Sequence, residues 1–125
     1  MTDYLTLIEV LAIHADQIER YGGSDGVRDP GLLEAALFRP QTGYYGDLIE
    51  EAAALWESLA QNHPFIDGNK RTAFAVTYTF LAINSTQITA DADATYQFII
   101  GLHEAGTFEI GRLAAWLRAN SLSEG

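Results

Sequence analysis

Apolar residues recur every three or four positions along most of this chain, which is the spacing of one face of an α-helix. Thr6 and Glu9 stand at the spacing of a capping box before the first of these runs, so we expect a helix that stops at Gly22-Gly23. Asp29-Pro30 is typical of an N-cap followed by the first helical position, and it predicts a short second helix that ends before Pro40.

Four more helices are predicted in the rest of the chain. The run from Asn69 or Lys70 to about Ile83 is apolar nearly all round, which indicates a central helix surrounded by the others. No long alternating strand pattern or internal repeat is present, so we expect one all-α domain of six helices over residues 1–125, built around one buried central helix. The other three helices are predicted from Asp47, with Glu50 as a second capping box, to His63-Pro64, from Asp91 or Asp93 to Gly106, and around Ile110 to Leu117.

The connection over residues 40–46 holds two glycines and two adjacent tyrosines. One interpretation is an ordinary helix-to-helix loop. The other is a short hairpin or flap before the central helix, in which Thr42, Gly43, Tyr44 and Tyr45 touch a ligand or a partner.

The charge balance narrows the possible partners. With 17 acidic and 7 basic residues the net charge is −10, so the chain repels nucleic-acid phosphates and anionic lipid headgroups, and no direct binding to nucleic acid or membrane is expected. There is no cysteine, which excludes disulfides and thiolate chemistry. The first residues lack a basic leader, and no apolar run approaches the ~20 residues of a membrane span, so we expect a cytoplasmic protein.

One decapeptide, residues 63–72, concentrates the polar chemistry. Lys70 and Arg71 within it are the only lysine or arginine residues between positions 39 and 112. Gly68 permits a sharp turn where the next helix begins, and the backbone N–H groups of a helix start bind anions. The point charge of Lys70 and the planar fork of Arg71 suit different oxygens of a polyphosphate. We therefore predict a nucleotide-phosphate site at Gly68, Asn69, Lys70 and Arg71.

Asp67 and His63 add a metal ligand and a base to this site. A carboxylate next to phosphates is how proteins usually hold Mg²⁺, so Asp67 is the predicted ligand and Mg²⁺ is expected with the nucleotide. An imidazole accepts a proton near neutral pH, so His63 is the candidate base on an attacking hydroxyl. Asn69 is able to orient either a phosphate or the loop backbone. The competing interpretation is purely structural: His63 caps a helix end, Asp67 pairs with Arg71, and the loop only connects two helices.

The stretch His63-Pro64-Phe65-Ile66-Asp67-Gly68-Asn69-Lys70-Arg71 resembles the signature of the Fic/Doc superfamily, and most closely that of its death-on-curing (Doc) branch. Residues 13–23 and 26–40 are also similar to that branch, so nearly the whole chain is covered. The resemblance implies a six-helix toxin of a type II toxin–antitoxin module. It also implies an activity, a protein phosphotransferase that moves the γ-phosphate of ATP to a threonine hydroxyl of elongation factor Tu and so blocks translation.

Residue roles and a further partner are implied by the same resemblance. By position, His63 would be the base, Asp67 the Mg²⁺ ligand, and Asn69, Lys70 and Arg71 the phosphate holders. The 40–46 connection would be the flap that positions the target. The partner is a cognate antitoxin, whose C-terminal helical segment folds into a groove of the toxin.

Two departures from the family pattern bear on the reaction. Relatives that transfer AMP usually carry glycine where this chain has Lys70 and a second arginine where it has Phe74, and both differences point away from AMP transfer. This chain shares Pro64 and Gly68 with those relatives, so Fic-type AMP transfer to a protein hydroxyl is the alternative enzyme. A non-catalytic module whose groove accepts a partner helix is the alternative of another class.

The other histidines and the tryptophans are assigned packing roles. His14 matches a histidine common in the branch, and it is either part of the substrate surface or, as we prefer, a hydrogen-bonded structural residue. His103 is assigned to the surface or to packing. Trp56 and Trp116 are interpreted as core or interface fillers.

Overall fold

The computed structural model describes residues 1–124, and this part of the chain forms six α-helices, one 3-10 turn and two short strands. The all-α fold expected from the sequence is confirmed. Gly125, the last residue of the expected domain, lies outside the described residues. The elements are α1 (Leu7–Tyr21), α2 (Pro30–Phe38), the 3-10 turn (Arg39–Thr42), α3 (Leu48–Asn62), α4 (Asn69–Ile83), β1 (Thr86–Ile88), α5 (Ala92–Ala105), α6 (Ile110–Ala119) and β2 (Ser121–Ser123).

Side-chain caps fix where several helices begin, as the sequence predicted. The Thr6 hydroxyl accepts the Glu9 N–H at 3.2 Å, and the Glu9 carboxylate accepts the Thr6 N–H at 2.9 Å, which completes the capping box of α1. Asp29 caps α2 and Asp91 caps α5 through their carboxylates.

The second predicted capping box, at the start of α3, is only half formed. Asp47 accepts the Glu50 N–H at 2.9 Å, as expected of an N-cap. The Glu50 carboxylate, however, accepts the N–H of Gly46 at 3.1 Å rather than that of Asp47. The guanidinium of Arg118 on α6 holds the Asp47 carboxylate at 2.9 Å instead, so a contact between distant helices completes the cap.

The core lies between α3 and α4, and its centre is Trp56. The indole is fully buried and contacts four other rings, with centroid distances of 5.4 to 6.2 Å. Trp116, one of the four, is also stacked on Phe98 at 4.7 Å. Trp56 is a core residue and Trp116 is partly buried against the core, so the structure agrees with the packing role predicted for both tryptophans. The four rings around Trp56 belong to Phe74, Phe98, Phe108 and Trp116.

A buried central helix is present, but α4 shares that position with α3. Nine of the 15 residues of α3 are buried, against six of the 15 of α4. One face of α4 stays open because no other helix covers Phe74 and Tyr78 completely, and this face lines a cleft. The all-round apolar pattern of α4 therefore reflects a core on one side and an apolar cleft on the other.

A small antiparallel sheet was not predicted. Gln87 of β1 faces Leu122 of β2, and the two strands join the end of the described chain to the segment after α4. Strands of three residues are too short to show an alternating pattern, which explains the omission. Among residues 1–124, no helix is both long enough and apolar enough to cross a bilayer.

Candidate active site

The loop between α3 and α4 turns twice through left-handed backbone. His63, directly after α3, has φ 49° and ψ 58°, and Gly68, directly before α4, has φ 72°. Pro64 and Phe65 between them are buried and fix the loop to the core. The predicted end of α3 at His63-Pro64 and the predicted start of α4 are confirmed.

The start of α4 has no side-chain cap. The first helical bond is donated by the Thr72 N–H to the Gly68 carbonyl at 2.9 Å. The N–H groups of Asn69, Lys70 and Arg71 have no hydrogen-bond partner within residues 1–124. Free N–H groups at a helix start, with the positive end of the helix dipole, form an anion site, so this end of α4 is suited to a phosphate.

The side chain of Asn69 holds the loop backbone. Its amide oxygen accepts the Phe65 N–H at 2.9 Å, and its amide nitrogen donates to the Phe65 carbonyl at 3.0 Å. Of the two roles left open by the sequence, the contacts correspond to orientation of the loop. The backbone N–H of the same residue remains directed to the anion site.

Asp67 is the only carboxylate among the described residues that line the cleft. Its Oδ1 accepts the Gly68 N–H at 2.8 Å and its Oδ2 accepts the Ser24 N–H at 3.2 Å. These two bonds, together with the charges of Arg71 and His14, hold the pKa of the Asp67 carboxyl below its ordinary value. An ionised, exposed carboxylate with unused lone pairs beside a phosphate site fits Mg²⁺, which takes one or two carboxylates and the phosphate oxygens as ligands.

The two cations of the motif lie on the cleft. Lys70 is exposed and free of an ion pair within the described chain. Arg71 donates to the Gly22 carbonyl at 2.9 Å and lies 5.8 Å from the centroid of the Tyr21 ring. The ion pair with Asp67 that a purely structural role would require is not formed among residues 1–124, because Arg71 is turned to the end of α1.

His63 lies on the same cleft, and its side chain is exposed. The imidazole makes no hydrogen bond within the described chain. The structure therefore brings His63, Asp67, Lys70 and Arg71 together on one cleft, while their roles in a reaction stay predictions.

His14 lies behind the loop. It is 2% exposed, stacks on Phe65 with centroids 3.9 Å apart, and its Nε2 is 2.8 Å from the Asp67 carbonyl oxygen. Because a carbonyl only accepts, Nε2 carries the hydrogen and donates it. These contacts correspond to the structural role preferred from the sequence, and they bury the ring away from any substrate.

His103 is packed rather than exposed, which agrees with one of its two predicted settings. Its ring stacks on Phe108 with centroids 4.3 Å apart. Burial is the main cause that lowers the pKa of His103, and the nearby side chains of Lys70 and His63 lower it further.

The cleft extends well beyond the motif. Its volume is about 1110 Å³, and it continues from the motif along the open face of α4 towards β1 and α5. No residue of this second half was predicted from the sequence to bind a ligand. Its apolar lining residues include Phe74, Tyr78, Ile88, Tyr96, Ile99 and Ile100.

The connection before α3 is a 3-10 turn followed by a loop, without the hairpin considered from the sequence. Arg39 holds it by donating to the Tyr45 hydroxyl at 2.6 Å and to the Glu57 carboxylate at 2.9 Å on α3. Tyr44 stays 84% exposed. Thr42, Gly43, Tyr44 and Tyr45 are not among the residues that line the cleft, so a role as flap stays a prediction.

The site includes one segment that sequence reasoning missed, the α1–α2 connection over residues 22–29. Its backbone supplies the N–H of Ser24 to Asp67 and the carbonyl of Gly22 to Arg71. Gly23 is also close, because a Cβ built there would lie 2.7 Å from Asp67 Oδ2. The available signal was the cluster of glycines at 22, 23 and 26, all of which have positive φ.

Comparison with known proteins gives a consistent result. A family model described as the Fic/DOC family matches residues 4–81, which include the whole motif. The protein named Toxin Doc of Mycolicibacterium smegmatis is 51% identical over 98 residues, which cover 74% of this chain and 73% of that relative. The protein named Protein kinase doc of Escherichia phage P1 is 39% identical over 84 residues, which cover 64% of this chain and 67% of that relative. The chain therefore belongs to the Fic/DOC family.

Proposed function

We propose that this chain is an ATP- and Mg²⁺-dependent protein phosphotransferase that moves the γ-phosphate of ATP to a threonine hydroxyl of elongation factor Tu. We also propose that, as one domain over residues 1–125, it is the toxin of a type II toxin–antitoxin module in the cytoplasm. The observation that carries the activity is the uncapped start of α4, where free N–H groups, two cations and a carboxylate meet beside His63. The name of one relative, a protein kinase, supports the proposed activity, and the name of the other, a toxin, supports the proposed biological role.

The proposed reaction is one displacement at phosphorus. His63 accepts the proton of the threonine hydroxyl, whose oxygen forms a bond to the γ-phosphorus while the bond to the β–γ bridging oxygen breaks, and ADP leaves. Lys70, Arg71 and the N–H groups of α4 hold the phosphate oxygens and so stabilise the charge that develops. Asp67 would hold Mg²⁺, which neutralises phosphate charge when bound.

Transfer of phosphate rather than AMP is supported by two side chains. Phe74 packs on Trp56 at 5.4 Å and on Tyr78 at 6.2 Å, and it offers no hydrogen bond to a phosphate. Lys70 occupies the start of α4 with a bulky cation where relatives that transfer AMP usually have glycine. A nucleotide with its γ-phosphate towards His63 avoids both obstacles, and AMP transfer remains the alternative for the same cleft.

The two proposed protein partners would use different surfaces. The apolar half of the cleft between α4 and α5 offers a groove to the C-terminal helical segment of the antitoxin, because an amphipathic helix buries its apolar face in such a groove. The 40–46 connection, with Thr42, Gly43, Tyr44 and Tyr45, would position elongation factor Tu. Two observations support this role. Arg39 anchors Tyr45 to the protein, and the neighbouring Tyr44 is exposed and available for contact.

The decisive experiment weighs the target. Purified protein is incubated with elongation factor Tu, Mg²⁺ and ATP, and the factor is analysed by intact-protein mass spectrometry, with His63→Ala alongside. Ser85→Ala is the matched control. Among the described residues, Ser85 and His63 are the two that have a positive φ without being glycine, and Ser85, at φ 60°, does not line the cleft. We expect one added phosphate with the wild type and the control, and none with His63→Ala.

Other results would change the proposal in defined ways. An AMP-sized addition would replace phosphotransfer by AMP transfer. A folded wild type that binds ATP but leaves the factor unmodified would exclude this target. Failure to modify any protein of a cell extract containing labelled ATP would favour the non-catalytic binding module.

A further inference from the structure

The α1–α2 connection contacts the loop between α3 and α4, residues 63–68, which we call the motif loop. The carbonyl of Pro64 accepts the N–H groups of Arg28 and Asp29 at 2.8 and 3.0 Å, and the Ile66 N–H donates to the carbonyl of Gly26 at 3.0 Å. Val27 forms an isolated antiparallel β-bridge with Phe65, which lies between Pro64 and Ile66. The motif loop is therefore supported by a segment about 40 residues earlier in the chain, in the manner of a short strand pair.

Arg28 adds the contact at the end of α3. Its Nε donates to the carbonyl of His63 at 2.6 Å, and its Nη2 donates to the carbonyl of Asn62 at 2.8 Å. The last carbonyls of a helix lack partners within the helix and carry the negative end of its dipole. A planar fork that reaches two of these carbonyls at once fixes both the position and the direction of the chain that leaves α3.

The backbone conformation of His63 is unfavourable by itself and needs support from the contacts of Arg28. A residue with a Cβ is disfavoured in left-handed backbone, and His63 adopts it at φ 49°. Its imidazole has no hydrogen bond within the described chain, so no side-chain contact compensates. The direction of the ring therefore follows from the backbone that Arg28 holds.

We propose that Arg28 is a positioning residue, which keeps His63 in left-handed backbone and so directs its imidazole into the cleft. The inference rests on the proposed function, because it assigns His63 the role of base. Arg28 does not line the cleft, and its side chain is exposed, so neither substrate contact nor core packing accounts for its two bonds. The backbone bonds from Arg28 and Asp29 to Pro64 do not involve the side chain and remain in any variant other than proline.

Two substitutions test the role. Arg28→Met keeps a long side chain but removes both donors, and Arg28→Lys keeps the charge but provides a single donor atom in place of the fork. Arg112→Met is the matched control, because Arg112 is an exposed arginine on α6 that does not line the cleft. The backbone angle of His63 is followed by NMR through its amide-to-Hα coupling and its Cα shift, which needs no substrate. Transfer to elongation factor Tu gives kcat and the KM for ATP.

The expected pattern separates positioning from a general effect on the fold. In Arg28→Met the left-handed signature of His63 is lost and kcat falls by up to about 100-fold, while the KM for ATP is unchanged because Asp67, Lys70 and Arg71 are untouched. Arg28→Lys lies between wild type and Met, and Arg112→Met equals wild type.

The outcomes against the proposal are equally defined. It is overturned if His63 keeps its angle in Arg28→Met, or if the angle changes without a fall in kcat. A loss of ATP affinity equal to the loss of kcat also overturns it, since the whole site would then be disturbed. If the wild type itself transfers no phosphate to the factor, the proposed function fails, whereas the NMR comparison still decides whether Arg28 holds His63.

Discussion

α3 and α4 have the same length of 15 residues and pack against each other, but they begin in opposite ways. α3 begins with an Asp47 cap that is itself held by Arg118, and its first turn carries two acidic residues, which suit the positive end of a helix. α4 begins at an uncapped Gly68 with Lys70 and Arg71 in its first turn, which is unfavourable for an isolated helix. The first start is completed within the protein, whereas the second leaves its N–H groups without partners in the described chain, and we propose that a nucleotide phosphate completes it.

The largest effect is expected when the carboxylate beside the start of α4 is removed. Asp67→Asn should lower the rate of phosphate transfer by about 100-fold or more, because a bound metal contributes several kcal/mol of charge stabilisation. Initial rates at increasing Mg²⁺ should show a weaker metal dependence of the remaining activity. Asp93→Asn, an exposed carboxylate in the first turn of α5, is the control and should not change the rate. Full activity in Asp67→Asn would remove Asp67 from the mechanism.

Two variants test whether the start of α3 serves stability and the start of α4 serves ATP binding. Lys70→Met should weaken ATP binding by about tenfold or more, because bonds from charged donors are lost, without lowering the stability of the nucleotide-free protein. Asp47→Ala should lower the free energy of unfolding by about 1 kcal/mol, the usual cost of a lost N-cap, without changing ATP affinity. Calorimetric titration with ATP and urea denaturation of each variant give both quantities. Equal effects of the two variants on both measurements would contradict the distinction.

Two glycines with nearly the same backbone angle separate the effect of backbone strain from an effect on the site. Gly68→Ala and Gly106→Ala place a Cβ at φ 72° and 69°, so each should lower the free energy of unfolding by about 1 kcal/mol. Only the Cβ at 68 meets other atoms, Ile18 Cδ1 at 3.0 Å and Arg71 Nη2 at 3.2 Å. We therefore expect a loss of ATP affinity in Gly68→Ala alone, measured by titration with ATP. A similar loss in Gly106→Ala would mean that strain anywhere in the chain disturbs the site.

The smallest expected effect concerns pH. Arg118 and the Glu50 N–H lower the pKa of Asp47, as the Gly68 and Ser24 N–H groups lower the pKa of Asp67. A lowered folded-state pKa means that the unfolded chain binds protons more readily. The stabilisation is therefore complete above the unfolded value of about 3.9 and is lost as the pH falls through the lower folded values.

Asparagine at position 47 keeps an N-cap but cannot titrate, so it isolates this contribution. Urea denaturation between about pH 3 and 5 should show a flatter pH dependence of stability in Asp47→Asn than in the wild type. Asp67→Asn should flatten it less, because the main contacts that lower the pKa of Asp67 are neutral backbone N–H groups, whereas that of Asp47 is lowered first by the guanidinium of Arg118. An unchanged slope in Asp47→Asn would show that Asp47 has the same pKa in both states.

The features that could be predicted from the sequence alone are local. The caps at Thr6, Asp29 and Asp91 act on N–H groups three residues away, so helix starts were correctly predicted from short-range spacing. The motif is equally local in sequence, because the turn at Gly68 and the helix after it place the candidate site residues of positions 63–71 at one end of α4.

Which helix faces are covered, and which distant groups support the site, depends on how the helices pack. The bonds from Ser24 and His14 to Asp67 span 43 and 53 positions, and the bond from Arg28 to His63 spans 35. No periodicity encodes such distances, because they depend on how α1 and α2 pack against the α3–α4 pair. The apolar pattern of α4 likewise showed that its faces avoid water, but the packing of α5 decided that one of them lines a cleft.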